Sequence, residues 1–238
     1  MKILAFDTSS ASGSVALVDN GALAAEWTSS SVAAHAVWLL PNIDGLLKSV
    51  NLGISDIDLF AVANGPGSFT GLRIGVSVAK GLAWSLRKRA VGVSTLYALA
   101  MNFAYAGMPV CTALDARKGE LYAAVYKFGE PVGCSPKSIM AESAVTPQGL
   151  LAGIAALEIK TPIIFAGSGL NAYAEYIKNN VKNAIFAPRP LWHIRASNVA
   201  LAALEITRTK ESLDPAVLPL VYLRKSEAEV KKQEKGHG

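Results

Sequence analysis

The sequence has few of the residues on which disulfide and metal chemistry depends. Its 238 residues include two cysteines, Cys111 and Cys134, and three histidines. Two cysteines are too few for a disulfide framework or a zinc knuckle, which fits a reducing compartment. No apolar run approaches the roughly 18 residues of a membrane-spanning helix, and no cleavable apolar segment follows Met1. We therefore expect a cytoplasmic protein that makes no membrane contact.

Charged residues are also scarce. They make up 17% of the chain, whereas hydrophobic residues make up 51%. This balance indicates either a large core or an apolar surface that another chain covers, and we favour a partner chain. The formal net charge of +5 is spread along the sequence and includes a basic tail. Because no basic stripe is visible, the composition does not indicate a nucleic-acid-binding face, although direct contact with a nucleic acid stays open.

The hydrophobic pattern predicts two lobes with the same order of elements. In each, three strands joined by turns precede alternating helices and strands, in the order βββαβαβα. In the first lobe we predict strands at 2–6, 14–18, 22–28, 59–63 and 90–93 and helices at 33–50, 70–86 and 96–105. In the second we predict strands at 110–114, 120–127, 138–140, 162–166 and 184–186 and helices at 147–157, 170–179 and 196–208.

This duplicated α/β order is similar to the fold of actin, hexokinase and Hsp70-type ATPases, the ASKHA fold. We expect an N-terminal lobe over residues 1–105 and a C-terminal lobe over 106–223. The last helix is a candidate to pack back on the N-terminal lobe, and a flexible tail is expected over 224–238.

Residues 64–75, NGPGSFTGLRIG, turn from a buried strand into a helix. Free backbone N–H groups at the start of such a helix can bind an anion. The same glycines, followed by Ser68 or Thr70 as a cap, are also an ordinary way to begin a helix, and both interpretations stay open. No Lys-Ser or Lys-Thr pair follows the glycines, so the turn is not a P-loop.

The helix at 70–86 is apolar or small around about 220° of its circumference, roughly twice the arc that one-sided burial needs. Glycine and alanine recur on it at a spacing of four, which permits close approach of another helix. We expect one face on the sheet and the other on a partner chain; the alternative is that helices of the same lobe cover both. The helix at 33–50, in which Pro41 forces either a kink or a late start, is its apolar companion. The residues predicted at the partner interface are His35, Leu39, Ile43, Gly71, Arg73, Gly75, Val78, Ala79 and Leu82.

Four strings resemble the TsaB (YeaZ-like) family: FDTS at 6–9, GPGSFTGLRIG at 65–75, LDARKGELY at 114–122 and PLVYLR at 219–224. The resemblance spans nearly the whole chain. It implies a non-catalytic relative of the catalytic subunit TsaD that pairs with TsaD and works with the ATPase TsaE. The assembly transfers a threonylcarbamoyl group to the tRNA adenosine beside the anticodon, and this chain is expected to act on tRNA indirectly. A homodimer is expected when TsaD is absent.

The resemblance also implies that the catalytic relatives hold a metal through two histidines at a spacing of four. Here His35 is followed at that spacing by Leu39, so we expect no intrinsic metal site. The main competing function is a stand-alone ATP-dependent enzyme of the same fold, such as a small-metabolite kinase. A metallopeptidase is disfavoured by the histidine count.

Nucleotide binding stays open at this point. Proteins of this fold hold ATP or ADP with Mg²⁺ between turns of the two lobes, but aspartate with small residues also makes ordinary hairpin turns. We expect no intrinsic cofactor and leave ATP or ADP with Mg²⁺ open for the complex. The residues at the corresponding nucleotide or assembly contacts are Asp7, Ser9, Ser10, Asp115, Arg117, Gly167 and Gly169.

Overall fold

The computed structural model describes residues 1–129, 135–209 and 214–224. Within these ranges the strands are β1 Lys2–Asp7, β2 Gly13–Asp19, β3 Ala22–Ser29, β4 Leu59–Gly65, β5 Arg89–Ser94, β6 Val110–Arg117, β7 Glu120–Lys127, β8 Lys137–Val145, β9 Ile163–Ala166 and β10 Ala184–Phe186. The α-helices are α1 His35–Ser49, α2 Phe69–Ser85, α3 Thr95–Ala100, α4 Pro147–Ala156, α5 Leu170–Asn180 and α6 Ala196–Thr209.

The strands form two sheets with matching topology. The first has the order β3-β2-β1-β4-β5 and the second the order β8-β7-β6-β9-β10. In each sheet the first three strands are antiparallel and the last two run parallel to the central strand. The predicted α/β fold of duplicated βββαβαβα lobes is therefore confirmed. The predicted bounds of β8, 138–140, were too short, because this strand extends to Val145 along β7.

Both faces of β1 are buried, so each face packs against a different layer. Leu4 and Phe6 lie in an apolar cluster with α1 and α2. Ile3 and Ala5 lie in another cluster, which also contains apolar residues of α3, α6 and the second sheet. The helix α6 thus follows the second sheet in sequence but packs on the first, and one apolar cluster joins the two lobes.

A buried carboxylate holds the start of α6 against the first sheet. The Glu26 carboxylate on β3 accepts hydrogen bonds from the backbone N–H and hydroxyl of Ser197, at 2.9 and 2.7 Å. Its other oxygen accepts from the Arg195 guanidinium at 2.9 and 2.5 Å. A negative charge beside exposed N–H groups stabilises a helix N-terminus, so Glu26 caps α6 from another lobe.

None of the described helices is long and apolar enough to span a bilayer. Apart from Arg224, the tail predicted at 224–238 lies outside the described residues, as does Cys134.

Candidate functional site

A cleft of about 930 Å³ opens between the lobes. The N-terminal lobe contributes the β1–β2 turn and the start of α2 to its walls, and the C-terminal lobe contributes the β6–β7 hairpin and the turn before α5. The lining residues are Ser9, Ser10, Ala11, His35, Gly67, Ser68, Phe69, Thr70, Leu114, Asp115, Ala116, Arg117, Lys118, Tyr122, Ser168, Asn171, Ala172, Tyr222 and Arg224.

The β1–β2 turn is bonded directly to the start of α2. The Ser68 backbone N–H donates to the carbonyl of Ser9 at 2.7 Å, and the Thr8 hydroxyl donates to the carbonyl of Gly71 at 2.8 Å. The Ser68 hydroxyl caps the helix by accepting from the Gly71 N–H at 3.3 Å. The backbone N–H groups of Ser68 and Gly71 therefore already donate within the chain, and an anion at this helix start could not use them.

The glycines of α2 serve this internal contact. A Cβ atom on Gly71 would lie 1.9 Å from the Thr8 carbonyl oxygen, and one on Gly75 would lie 2.5 Å from the Thr8 hydroxyl. Only glycine lets the turn approach α2 so closely. The prediction that the small residues of this helix, Gly75 among them, admit a partner helix is wrong for this reason.

The predicted partner interface needs a wider correction. Five of its residues are buried inside the N-terminal lobe and cannot contact another chain. They are Leu39, Ile43, Gly71, Gly75 and Ala79. Both α1 and α2 pack their most apolar side on the first sheet. The spacing of glycine and alanine on α2, which we assigned to a partner helix, therefore belongs to the core.

The outward side of the same two helices nevertheless carries exposed apolar residues. On α1, Val37 is 72% and Leu40 50% exposed, and on α2, Trp84 is 70% exposed. Val78 and Leu82, two of the predicted interface residues, are half-buried between this surface and the core. A Cβ atom on Gly81 would meet no atom within 4 Å. We name this surface, formed by Val37, Leu40, Ile74, Val78, Gly81, Leu82 and Trp84, the helical face.

The C-terminal segment, residues 218–224, covers one edge of α2. Asn64 binds it at two points, since its side-chain amide donates to the Pro219 carbonyl at 3.0 Å and its own carbonyl accepts from the Val221 N–H at 2.8 Å. The Arg73 guanidinium donates to the Tyr222 hydroxyl at 3.3 Å. Arg73, predicted as a partner contact, is thus engaged within the chain.

Polar atoms without a partner collect under the β1–β2 turn. Asp7 is fully buried, and one of its oxygens accepts from the Ser9 N–H at 3.0 Å. Its other oxygen, the Ser9 hydroxyl and Nδ1 of His35 have no hydrogen-bond partner among the described residues. Nε2 of His35 lies 2.8 Å from the Ser10 carbonyl oxygen. Burial raises the pKa of Asp7 to about 6, against a smaller lowering by Ser9 and His35.

The Asp7 carboxyl makes stability depend on pH. Its folded-state pKa lies above the unfolded value of about 3.9, so the folded protein binds the proton more tightly and loses stability as pH rises from about 4 through about 6. Asp7→Asn removes the buried ionisable group and should raise the free energy of unfolding by about 3 kcal/mol at pH 7.5, with little gain at pH 4. Urea unfolding at both pH values measures the difference.

Asp44→Asn is the matched control, because Asp44 is exposed and only pairs with Lys48 on the surface. It should leave the pH dependence unchanged. An Asp7→Asn protein that is less stable than wild type at pH 7.5 would show that the ionised carboxylate is stabilised in the fold.

The second lobe contributes its β6–β7 hairpin to the cleft. The turn is tight, with left-handed backbone at Arg117, Lys118 and Gly119. The Asp115 carboxylate accepts from the Arg117 N–H at 2.8 Å, and the Asp115 N–H donates to the Ser168 hydroxyl at 3.2 Å. Asp115 and Arg117, both predicted as nucleotide or assembly contacts, line the cleft from this hairpin.

The glycines of the turn before α5 lie deeper than predicted. Gly167 and Gly169 are buried, and a Cβ atom on Gly167 would lie 2.3 Å from the Ala113 carbonyl oxygen. The residue between them, Ser168, lines the cleft instead. Asp7 likewise lies beneath the surface. Of the predicted nucleotide contacts, those on the cleft wall are Ser9, Ser10, Asp115 and Arg117.

The cleft residues suit phosphate better than a metal ion. Arg117, Lys118, Ser10 and Ser168 offer cations and hydroxyl groups to an anion. Among the residues with described positions, no group of three His, Cys, Asp or Glu side chains lies close enough to hold a metal. The accessible carboxylate, Asp115, already lies 3.6 Å from Arg117. A nucleotide would therefore be held here through its phosphates.

Comparison with known proteins identifies the family. The sequence profile of the family described as TsaD, tRNA N6-adenosine threonylcarbamoyltransferase, matches residues 28–232. A curated relative from Bacillus subtilis (strain 168), the tRNA threonylcarbamoyladenosine biosynthesis protein TsaB, is 32% identical over 235 residues, which cover 97% of each chain. The chain belongs to the TsaB family.

Other members agree with this placement. The TsaB protein of Haemophilus influenzae (strain ATCC 51907 / DSM 11121 / KW20 / Rd) is 30% identical over 87% of this chain and 91% of its own. The solved structure described as YeaZ from Pseudomonas aeruginosa superposes with a TM-score of 0.75 at 29% identity, covering 93% of this chain and 99% of that chain. The predicted TsaB (YeaZ-like) membership is confirmed.

Proposed function

We propose that this TsaB-family chain is a non-catalytic partner subunit that binds TsaD and supports transfer of a threonylcarbamoyl group to the tRNA adenosine next to the anticodon. Its relatives are named as proteins of threonylcarbamoyladenosine biosynthesis, which supports an accessory role in forming this nucleoside. TsaE is the third component of the proposed assembly. In the absence of TsaD the chain pairs with a second copy of itself.

The observation that carries the proposal is the helical face. Trp84, Val37 and Leu40 are exposed by 70, 72 and 50%, on two adjacent helices. Exposed apolar area costs about 25 cal/mol per Å², so a second helix pair that covers this face stabilises the assembly. A relative with the same first lobe presents the same pair of helices, and two such pairs can meet about a pseudo-twofold axis.

The site residues are consistent with a subunit that leaves the chemistry to its partner. Leu39, which occupies the position where the catalytic relatives are expected to carry a second histidine, is fully buried in the apolar cluster beneath α1. His35 directs one ring nitrogen at the Ser10 carbonyl oxygen, 2.8 Å away. Leu39 offers no metal ligand, and within the described part of the chain His35 does not belong to a group of three His, Cys, Asp or Glu side chains that could hold a metal.

A reconstituted reaction tests the proposal. TsaD, TsaE, threonylcarbamoyl-adenylate and unmodified tRNA should yield modified adenosine when this chain is present and only background when it is omitted. The chain alone should hydrolyse ATP no faster than a buffer blank. Full modification without the chain would contradict the accessory role, and rapid ATP turnover by the isolated chain would favour a stand-alone ATP-dependent enzyme.

A further inference from the structure

An aromatic cluster forms one lip of the cleft where α2 meets the C-terminal segment. The rings of Phe69 and Tyr222 stack with their centres 5.1 Å apart. The Arg73 guanidinium lies 3.8 Å from the centre of the Phe69 ring and donates to the Tyr222 hydroxyl at 3.3 Å. Phe69 remains 37% and Tyr222 39% exposed, so both rings keep accessible surface at the cleft. We name these three residues the aromatic lip.

Cations line the same cleft as the aromatic lip. Among the described residues that line the cleft, three carry a positive charge and one, Asp115, carries a negative charge. The positive residues are Arg117, Lys118 and Arg224. The Arg117 side chain is 86% exposed, whereas Arg224 is anchored by the Ala116 carbonyl and the Glu120 carboxylate, both at 3.3 Å. The cleft therefore combines an aromatic platform with an excess of positive charge.

We propose that the aromatic lip stacks an unpaired base of an RNA strand, whose phosphates run toward Arg117 and Lys118. The inference rests on the proposed function, which brings tRNA to the assembly. Aromatic rings and arginine planes are the groups on which unstacked bases of RNA lie, and neighbouring cations follow the backbone. The composition showed no such site, because Phe69 and Tyr222 lie far apart in sequence and meet only in the fold.

The openness of the aromatic lip favours a strand over a free nucleotide. Small-ligand sites enclose most of the surface of their ligand. Here the rings lie at the mouth of the cleft and more than a third of each is exposed. The Arg117 side chain, which is 86% exposed, lies on the opposite lobe. A strand can reach the lip and the hairpin with successive nucleotides.

The test is fluorescence anisotropy of an unmodified, fluorescein-labelled anticodon stem-loop RNA with the full chain in complex with TsaD. Tyr222→Leu removes the ring and should weaken RNA binding about tenfold. Tyr222→Phe keeps the stack and should bind like wild type. Arg117→Gln should lower the slope of log Kd against log salt by about 0.7, the value of one single-strand phosphate contact. Tyr105→Leu is the matched control, because Tyr105 is 80% exposed outside the cleft.

Three results would overturn the inference. Tyr222→Leu could bind the RNA as tightly as wild type. Excess ATP could displace the RNA, and Tyr222→Leu could weaken ATP binding as much as it weakens RNA binding. Together these two results would make the lip a nucleotide subsite. Photo-cross-links from 4-thiouridine RNA to the wild-type complex could map away from Phe69 and Tyr222. This last measurement needs no variant, so it decides the matter if Tyr222→Leu does not fold.

Failure of the lip and failure of the proposed function are distinguishable. The mass of the complex with TsaD is measured for wild type and for Tyr222→Leu before RNA is added. If Tyr222→Leu leaves both the mass of the complex and its RNA affinity unchanged, the proposal for the aromatic lip is contradicted and the proposed function is not. If the wild-type chain does not associate with TsaD, the proposed function is contradicted, whether or not the aromatic lip binds RNA.

Discussion

Gly71→Ala should lower the melting temperature of this protein by about 8 °C, corresponding to roughly 3 kcal/mol of unfolding free energy in a chain of this size. The added Cβ atom would lie 1.9 Å from the carbonyl oxygen of Thr8. This oxygen belongs to a turn that is fixed by hydrogen bonds to α2 at Ser68 and Gly71, so it cannot move without breaking them. Circular dichroism during heating, with the far-ultraviolet signal of the helices as readout, measures the loss.

Gly81→Ala, ten residues further along the same helix, is the matched control. A Cβ atom there meets nothing within 4 Å. Alanine in an exposed helix interior is about 0.5–1 kcal/mol more favourable than glycine, so this variant should melt slightly higher than wild type. Equal melting temperatures for the two variants would show that the β1–β2 turn yields, and that Gly71 is not required for the packing of α2.

Gly81→Arg should weaken binding to TsaD at least about 30-fold while leaving the chain folded. The position is open in the isolated chain, so the new side chain fits there, but it places bulk and an unpaired charge at the middle of the helical face. Trp84→Ala should have a similar effect, because a 70% exposed tryptophan beside small residues is the kind of side chain that anchors an interface. Surface plasmon resonance with immobilised TsaD measures both affinities.

Tyr105→Ala serves as the control for general loss of aromatic surface, because Tyr105 follows α3 and lies off the helical face. Its affinity for TsaD should match wild type. If Gly81→Arg and Trp84→Ala also bind like wild type, the interface lies on another surface.

Much of the fold could be predicted from the sequence because local periodicity is strong. The strand β7 was predicted with its observed ends, Glu120 and Lys127, and α5 to within one residue. The strand β8 was predicted too short, since its continuation to Val145 has little apolar alternation. Pairing with β7, the preceding strand, extends β8 to Val145, and such pairing is not visible in the local hydrophobic pattern.

The candidate site was harder to predict because small-residue spacing does not say which segment will pack there. The Gly71 and Gly75 pattern indicated a close neighbour correctly, but the neighbour is Thr8 of the same lobe and not a partner helix. The Arg73 side chain on α2 was predicted to contact a partner chain. Instead, Arg73 contacts Tyr222 and Lys80 donates to the Ala216 carbonyl at 3.2 Å. These contacts join residues more than a hundred positions apart, which no local signal reveals.

Light scattering of the chain mixed with TsaD during gel filtration tests the central claim most directly. If TsaD binds the helical face, we expect a single peak that contains both proteins, with a mass equal to the sum of one copy of each. The chain alone should elute with twice its monomer mass of 25.0 kDa. Two separate peaks with unchanged masses in the mixture would contradict the claim that this chain is a partner subunit of TsaD.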